Sequence, residues 1–134
     1  MDLSTAENFL RSSPFHQFLN IQFQQYNSGN VCLTVPFREE FLVNKEAKII
    51  HGGIIASILD IAGHYAIFSS TSSKSPTIDL RVDYLSSAKD SDLIVEGTAL
   101  RIGSSIGVAE MKLYQEIGES QHIVAIGRAT YKIN

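Results

Sequence analysis

Hydrophobic positions along this chain change their period from one stretch to the next, and each change marks an element. Ser4 followed by Glu7 forms a capping box ahead of Asn8-Phe9-Leu10, which predicts a short helix over residues 5–12 that stops before Pro14. From Phe18 the pattern alternates, with Leu19, Ile21 and Phe23 on one parity, and Val31, Leu33 and Val35 repeat it, so a hairpin is expected to turn at residues 27–30. Residues 37–50 have no clear period and read as a loop. From residue 53 to about 69 the apolar residues (Ile54, Ile55, Ile58, Leu59, Ile61, Ala62, Tyr65, Ala66, Phe68) fall on every face, the signature of a helix buried all round. After Pro76 the alternation returns: Ile78, Leu80, Val82 and Tyr84 oppose Thr77, Asp79, Arg81 and Asp83. Residues 92–102, 104–115 and 121–133 follow as further strands, with turns at Gly103-Ser104 and at Ile117-Gly118-Glu119, so the last four strands are expected to form an antiparallel meander.

This order of elements predicts an α+β fold in which one antiparallel sheet wraps around one long central helix. A single sheet covers only part of such a helix. The uncovered apolar side is therefore expected to face a second chain, making at least a homodimer.

Composition narrows the function classes. Of the 134 residues, 44% are hydrophobic and 19% charged, which fits one folded domain spanning 1–134 rather than a disordered chain. The net charge of −3, with no cluster of Lys and Arg, argues against a nucleic-acid surface. Residues 49–68 have the length of a membrane span, but Asp60, His51, His64 and a Gly-Gly pair would be costly in lipid, so no membrane partner is expected. The N-terminal stretch has neither the basic nor the apolar region of a secretory signal, and the single cysteine, Cys32, points to no oxidising compartment; the expected location is the cytoplasm.

The chemistry concentrates in the apolar segment. A carboxylate buried without a partner costs several kcal/mol, so Asp60 marks either a site or a structural pairing, for instance with His64 one turn on. His51-Gly52-Gly53 tips the balance towards a site. Glycines at a helix N-terminus let a ligand approach exposed N–H groups whose dipoles favour negative charge, an arrangement suited to a developing oxyanion. Nine residues of helix separate His51 from Asp60 by roughly 13 Å. That is too far for both to act on one carbonyl within a chain, so sites composed from two chains at the subunit interface are expected.

His51-Gly52-Gly53 with Asp60, the element order and the stretch "PTIDLRVDYLSSAKDSDLIVEG" resemble the hotdog-fold acyl-CoA thioesterases of the PaaI type, over most of the chain from about Phe15 to Ile133. The resemblance implies an acyl-CoA substrate, a homodimer that can pair into a homotetramer, and no cofactor beyond the coenzyme A of the substrate. By it, Asp60 acts as nucleophile or as general base for water, the Gly52 N–H of the partner chain polarises the thioester carbonyl, and His51 orients its neighbours. Thr77 matches a position where the family places Ser or Thr beside the carboxylate. Its parity sets it with Asp79 and Arg81, so a twist at strand entry is needed to turn it inward. The family often places an Asn six positions before the histidine with a Gly between; here Asn44 lies seven before, and "NKEAKII" lacks that Gly.

Substrate contacts are expected from Gly53, from Arg101 and Ser104 towards the coenzyme A phosphates, with Lys89 and Arg128 as further cations, and from Ile54 and Tyr65, with Ile58 and Phe68, along an acyl pocket. No metal is expected, because Asp60 with His64 supplies only two ligands and no HExxH is present. Cys32, in mid-strand, reads as a buried small hydrophobe. A hotdog dehydratase acting on enoyl or 3-hydroxyacyl thioesters ranks second and a non-catalytic acyl-CoA binding module third.

Overall fold

The computed structural model describes residues 2–133; Met1 and Asn134, the two ends of the expected 1–134 unit, lie outside the described residues. Elements run α1 (Leu3–Arg11), α2 (Pro14–Leu19), β1 (Gln22–Asn27), β2 (Asn30–Val35), a 3₁₀ turn (Glu39–Phe41), α3 (Gly52–Thr71), β3 (Thr77–Tyr84), β4 (Leu93–Ile102), β5 (Ile106–Ile117) and β6 (Ser120–Lys132). The six strands form one sheet in the order β1-β2-β4-β5-β6-β3, every neighbouring pair antiparallel. The sheet packs onto α3, whose Ile55, Ile58, Leu59, Ala62, Tyr65, Ala66 and Ile67 are the centre of the core. This is the expected α+β hotdog architecture. Helix α3 has the length and mean hydropathy (1.3) of a membrane span, but 61% of that window is buried inside the protein, as for a core helix.

Close approach of helix to sheet depends on Gly97 of β4: a Cβ there would stand 2.4 Å from the Ala62 carbonyl oxygen, and a backbone atom cannot step aside.

Three expectations change. The first helix is capped by Asp2, whose Oδ1 accepts the Thr5 N–H at 2.8 Å, rather than by Ser4, and so begins a residue or two early. Residues 14–19, expected to lead into a strand, form α2 instead: the Ser13 hydroxyl caps it, Pro14 occupies its first turn, and Asn20 ends it in the left-handed region at φ 54°. The predicted parity of Leu19 with Ile21 and Phe23 therefore spans a helix end and a strand start. Finally, only β4, β5 and β6 form a meander. Strand β3 pairs with β6 and ends the sheet, while β2 takes the place beside β4, since alternation sets which face a residue occupies but not which strand lies alongside.

Helix α1 covers part of the helix surface assigned to a partner, its Phe9 ring stacking on Phe68 (centroids 5.3 Å apart) and meeting His64 and Tyr65. What stays open is the N-terminal part of α3 and the β3 edge, where Ile78, Tyr84 and Leu85 are exposed.

Candidate active site

Asp60 sits in mid-helix, half-buried, on the wall of a cavity of about 520 Å³ shared with Phe9, His16, His64, Tyr65, Lys74 and Thr77. Thr77 reaches the carboxylate because the β3–β6 register shifts between Thr77 and Asp79, which supplies the twist that the strand's parity required. The Thr77 hydroxyl then donates to Asp60 Oδ1 at 2.8 Å. A second hydroxyl arrives from β6: Tyr131 Oη lies 3.1 Å from the same Oδ1 and donates to the Asp60 main-chain oxygen at 2.8 Å. Thr77 gives its proton to Oδ1 and Tyr131 shares its single proton between Oδ1 and the main-chain oxygen, so both hydroxyls converge on one carboxylate oxygen, and Oδ2 accepts no hydrogen bond from any described residue.

The expected alternative for Asp60, an ion pair with His64, is not formed. His64 packs among Phe9, Tyr65, Phe68 and Tyr131 instead. Burial drives its imidazole down to about 4, opposed only in part by the Asp60 charge. The ring is therefore neutral at neutral pH, and Asp60 and His64 do not make the hydrogen-bonded acid–base pair that a dehydratase would use. Above about pH 6.5 the ring is neutral in the folded and the unfolded chain alike. As pH falls from there towards 4, the unfolded chain takes up a proton that the folded one refuses, and the fold loses stability. His64→Phe is expected to shrink the stability difference between pH 7 and pH 4.5 by about 2 kcal/mol, read from urea midpoints at the two pH values.

The second half of the candidate site lies at the start of α3. His51 is its N-cap, with Nδ1 accepting the Gly53 N–H at 2.8 Å, which leaves the ring proton on Nε2. Tyr84 Oη donates to the Gly52 carbonyl at 2.7 Å, and the His51 N–H donates to the Phe41 carbonyl at 2.8 Å. The Gly52–Gly53 peptide is thus held at both its C=O and its N–H. The Gly52 N–H itself has no partner among the described residues, and it sits where the helix dipole favours negative charge. Gly53 has no free N–H to offer a ligand, because His51 engages it. Eight residues of helix put Gly52 roughly 12 Å along the axis from Asp60.

The remaining expected residues stand apart. Asn44 is exposed and its Oδ1 accepts the Ala47 N–H at 2.7 Å, closing a turn of its own loop. Arg101 and Ser104 are exposed at the β4–β5 hairpin, away from the Asp60 cavity. Ile54 packs on the core from the first turn of α3, whereas Tyr65 does line the cavity. Cys32 is half-buried, and burial together with Glu96 raises its thiol pKa, the opposite of an activated nucleophile. Among the described residues no three His, Cys, Asp or Glu side chains gather as metal ligands. Sequence reasoning missed Tyr84 and Tyr131, which looked like ordinary strand aromatics.

Residues 47–121, which include His51-Gly52-Gly53, Asp60 and Thr77, match the family model described as the thioesterase superfamily. The chain belongs to the thioesterase superfamily. This thioesterase is 30% identical over 143 aligned residues to YigI of Salmonella typhimurium, a protein named a medium/long-chain acyl-CoA thioesterase, across 96% of this chain and 90% of that one. An X-ray structure of another thioesterase-superfamily protein superposes with a TM-score of 0.91 at 33% identity, over 98% of both chains. The PaaI protein of Escherichia coli shares the fold, with a TM-score of 0.84 at 19% identity over 96% of this chain and 90% of that one. The chain is accordingly a thioester hydrolase of the hotdog fold, which sets the dehydratase and binding-module readings aside.

Proposed function

We propose that this thioesterase hydrolyses the thioester bond of an acyl-coenzyme A to the free acid and coenzyme A, in a homodimer whose sites each take Asp60 from one protomer and the Gly52 N–H from its partner. The observation that carries this reading is the inequivalence of the two Asp60 oxygens: Oδ1 is gripped by Thr77 and Tyr131 while Oδ2 remains open. The separation of Asp60 and Gly52 along one helix, and the open β3 edge beside Tyr84 and Leu85, support a site completed by a second chain. The name and 30% identity of YigI support the acyl-CoA substrate. The burial of most of helix α3 inside the protein supports a soluble enzyme.

In this reaction the partner's Gly52 N–H donates to the thioester carbonyl and stabilises the negative charge that grows on its oxygen. Oδ2 then acts in one of two ways. It attacks the carbonyl carbon, expelling the coenzyme A thiolate and leaving a mixed anhydride for water to open, or it removes a proton from a water that attacks directly. Either route consumes one water and ends in a carboxylic acid and a thiol. No metal or cofactor beyond the substrate's own coenzyme A takes part. Tyr65 and Phe9, on the wall of the Asp60 cavity, line the acyl group.

The test is thiol release from short, long and aromatic acyl-CoAs, with the protein's own Cys32 subtracted, alongside the sedimentation mass. Release from at least one class by a dimer or larger assembly is expected. Saturable binding without release, or a fully active monomer, would overturn the corresponding half of the reading.

A further inference from the structure

Tyr131 is fully buried at the C-terminal end of β6, yet its hydroxyl leaves the sheet for the one carboxylate on α3. Among the described residues it alone hydrogen-bonds both the main chain and the side chain of Asp60, at 2.8 Å and 3.1 Å. The helix is bare where the hydroxyl arrives: a Cβ on Gly63 would stand 2.3 Å from Tyr131 Oη and 2.8 Å from Met111 Sδ. Any other residue at 63 would push the phenol away from Asp60. A buried tyrosine needs some partner for its hydroxyl, and the Asp60 carbonyl alone would satisfy that need. The approach to Oδ1 goes beyond it.

We infer that Tyr131 is a positioning residue of the hydrolytic site: its hydroxyl ties the Asp60 carboxylate to the Asp60 backbone, so that Oδ2 is the oxygen turned to the thioester, and Gly63 is the gap that admits it. The inference rests on the reading of Asp60 given above. Thr77 alone cannot set that orientation, because a single donor leaves the carboxylate free to swing about the shared hydrogen bond. Two donors from different strands, β3 and β6, converging on one oxygen remove that freedom. The phenol keeps its proton for this task, since burial first and the neighbouring Asp60 charge second push its pKa upward, and the His64 backbone N–H offsets only part of the rise.

The experiment measures kcat and KM with the best acyl-CoA for wild type, Tyr131→Phe, Gly63→Ala and Asp60→Asn, each normalised to folded protein by thermal melting. Tyr131→Phe keeps the ring and removes only the hydroxyl. It is expected to lower kcat about tenfold, the worth of one hydrogen bond to a charged group, with KM unchanged. Gly63→Ala, which displaces the same hydroxyl, should reproduce the kcat loss in whatever fraction folds. A tyrosine that serves only the core would leave kcat per folded molecule untouched, so wild-type kcat in Tyr131→Phe overturns the inference, as does a loss carried entirely by KM. If Asp60→Asn is inactive while Tyr131→Phe is not impaired, only this inference fails. If Asp60→Asn still turns over, the reading of Asp60 fails and takes the inference with it.

Discussion

Asp60→Asn is expected to lower kcat by about 10²- to 10⁴-fold, the contribution of a positioned base or nucleophile, while leaving a folded protein. The fold survives because the asparagine oxygen can still accept from Thr77 and Tyr131, which both bond to Oδ1. What disappears is the free, negatively charged Oδ2. The variant separates chemistry from packing, since it keeps volume, shape and the gripped oxygen. Turnover is measured by thiol release and folding by circular dichroism; a folded variant of near wild-type activity would remove Asp60 from the reaction.

The second large effect comes from deleting one hydrogen atom's worth of backbone. Gly52 is the first residue of α3, a position that proline tolerates, and His51 before it has φ −59° and ψ 135°, the extended conformation that a residue preceding proline adopts. A side chain at 52 would meet the Tyr84 ring at 3.5 Å, ordinary contact. Gly52→Pro should therefore fold, lose the N–H, and lose about 10²- to 10³-fold in kcat, as expected for a single oxyanion donor. Gly52→Ala keeps the N–H and should retain most activity. Mixing Gly52→Pro with Asp60→Asn chains then tests the composite site: subunit exchange should restore roughly a quarter of wild-type activity on random pairing, because each heterodimer carries one intact site. Exchange without recovery would place each site within a single chain.

How much of this was legible in the sequence follows from the reach of each signal. Helix α3 announced itself because a long segment apolar on every face has one architectural solution, and Asp60 stood out as the only carboxylate within it. The Gly-Gly entry pointed to exposed N–H groups, but not to their division of labour, since only the fold shows His51 Nδ1 taking the Gly53 proton and leaving that of Gly52. Thr77 could be placed only with a twist, which the register shift after it provides. The position of β3 was not legible, because alternation says nothing of neighbours. Nor was Tyr131: it lies 71 residues from its partner, and a tyrosine on the inward parity of a strand looks like core until the bare helix surface at Gly63 is seen opposite it. Helix α2 was missed although Ser13-Pro14 and Asn20 mark both its ends, since the apolar parity of its neighbours was the louder pattern.

Strand β3 ends the sheet with one row of main-chain donors and acceptors unmatched and with Ile78, Tyr84 and Leu85 exposed beside it. An edge of this kind accepts any extended chain that meets it, correct or not. In the proposed homodimer the second chain covers that edge, so a newly made protomer is most open to aggregation before it pairs, and the speed of pairing bears on its survival in a crowded solution as much as the depth of its core.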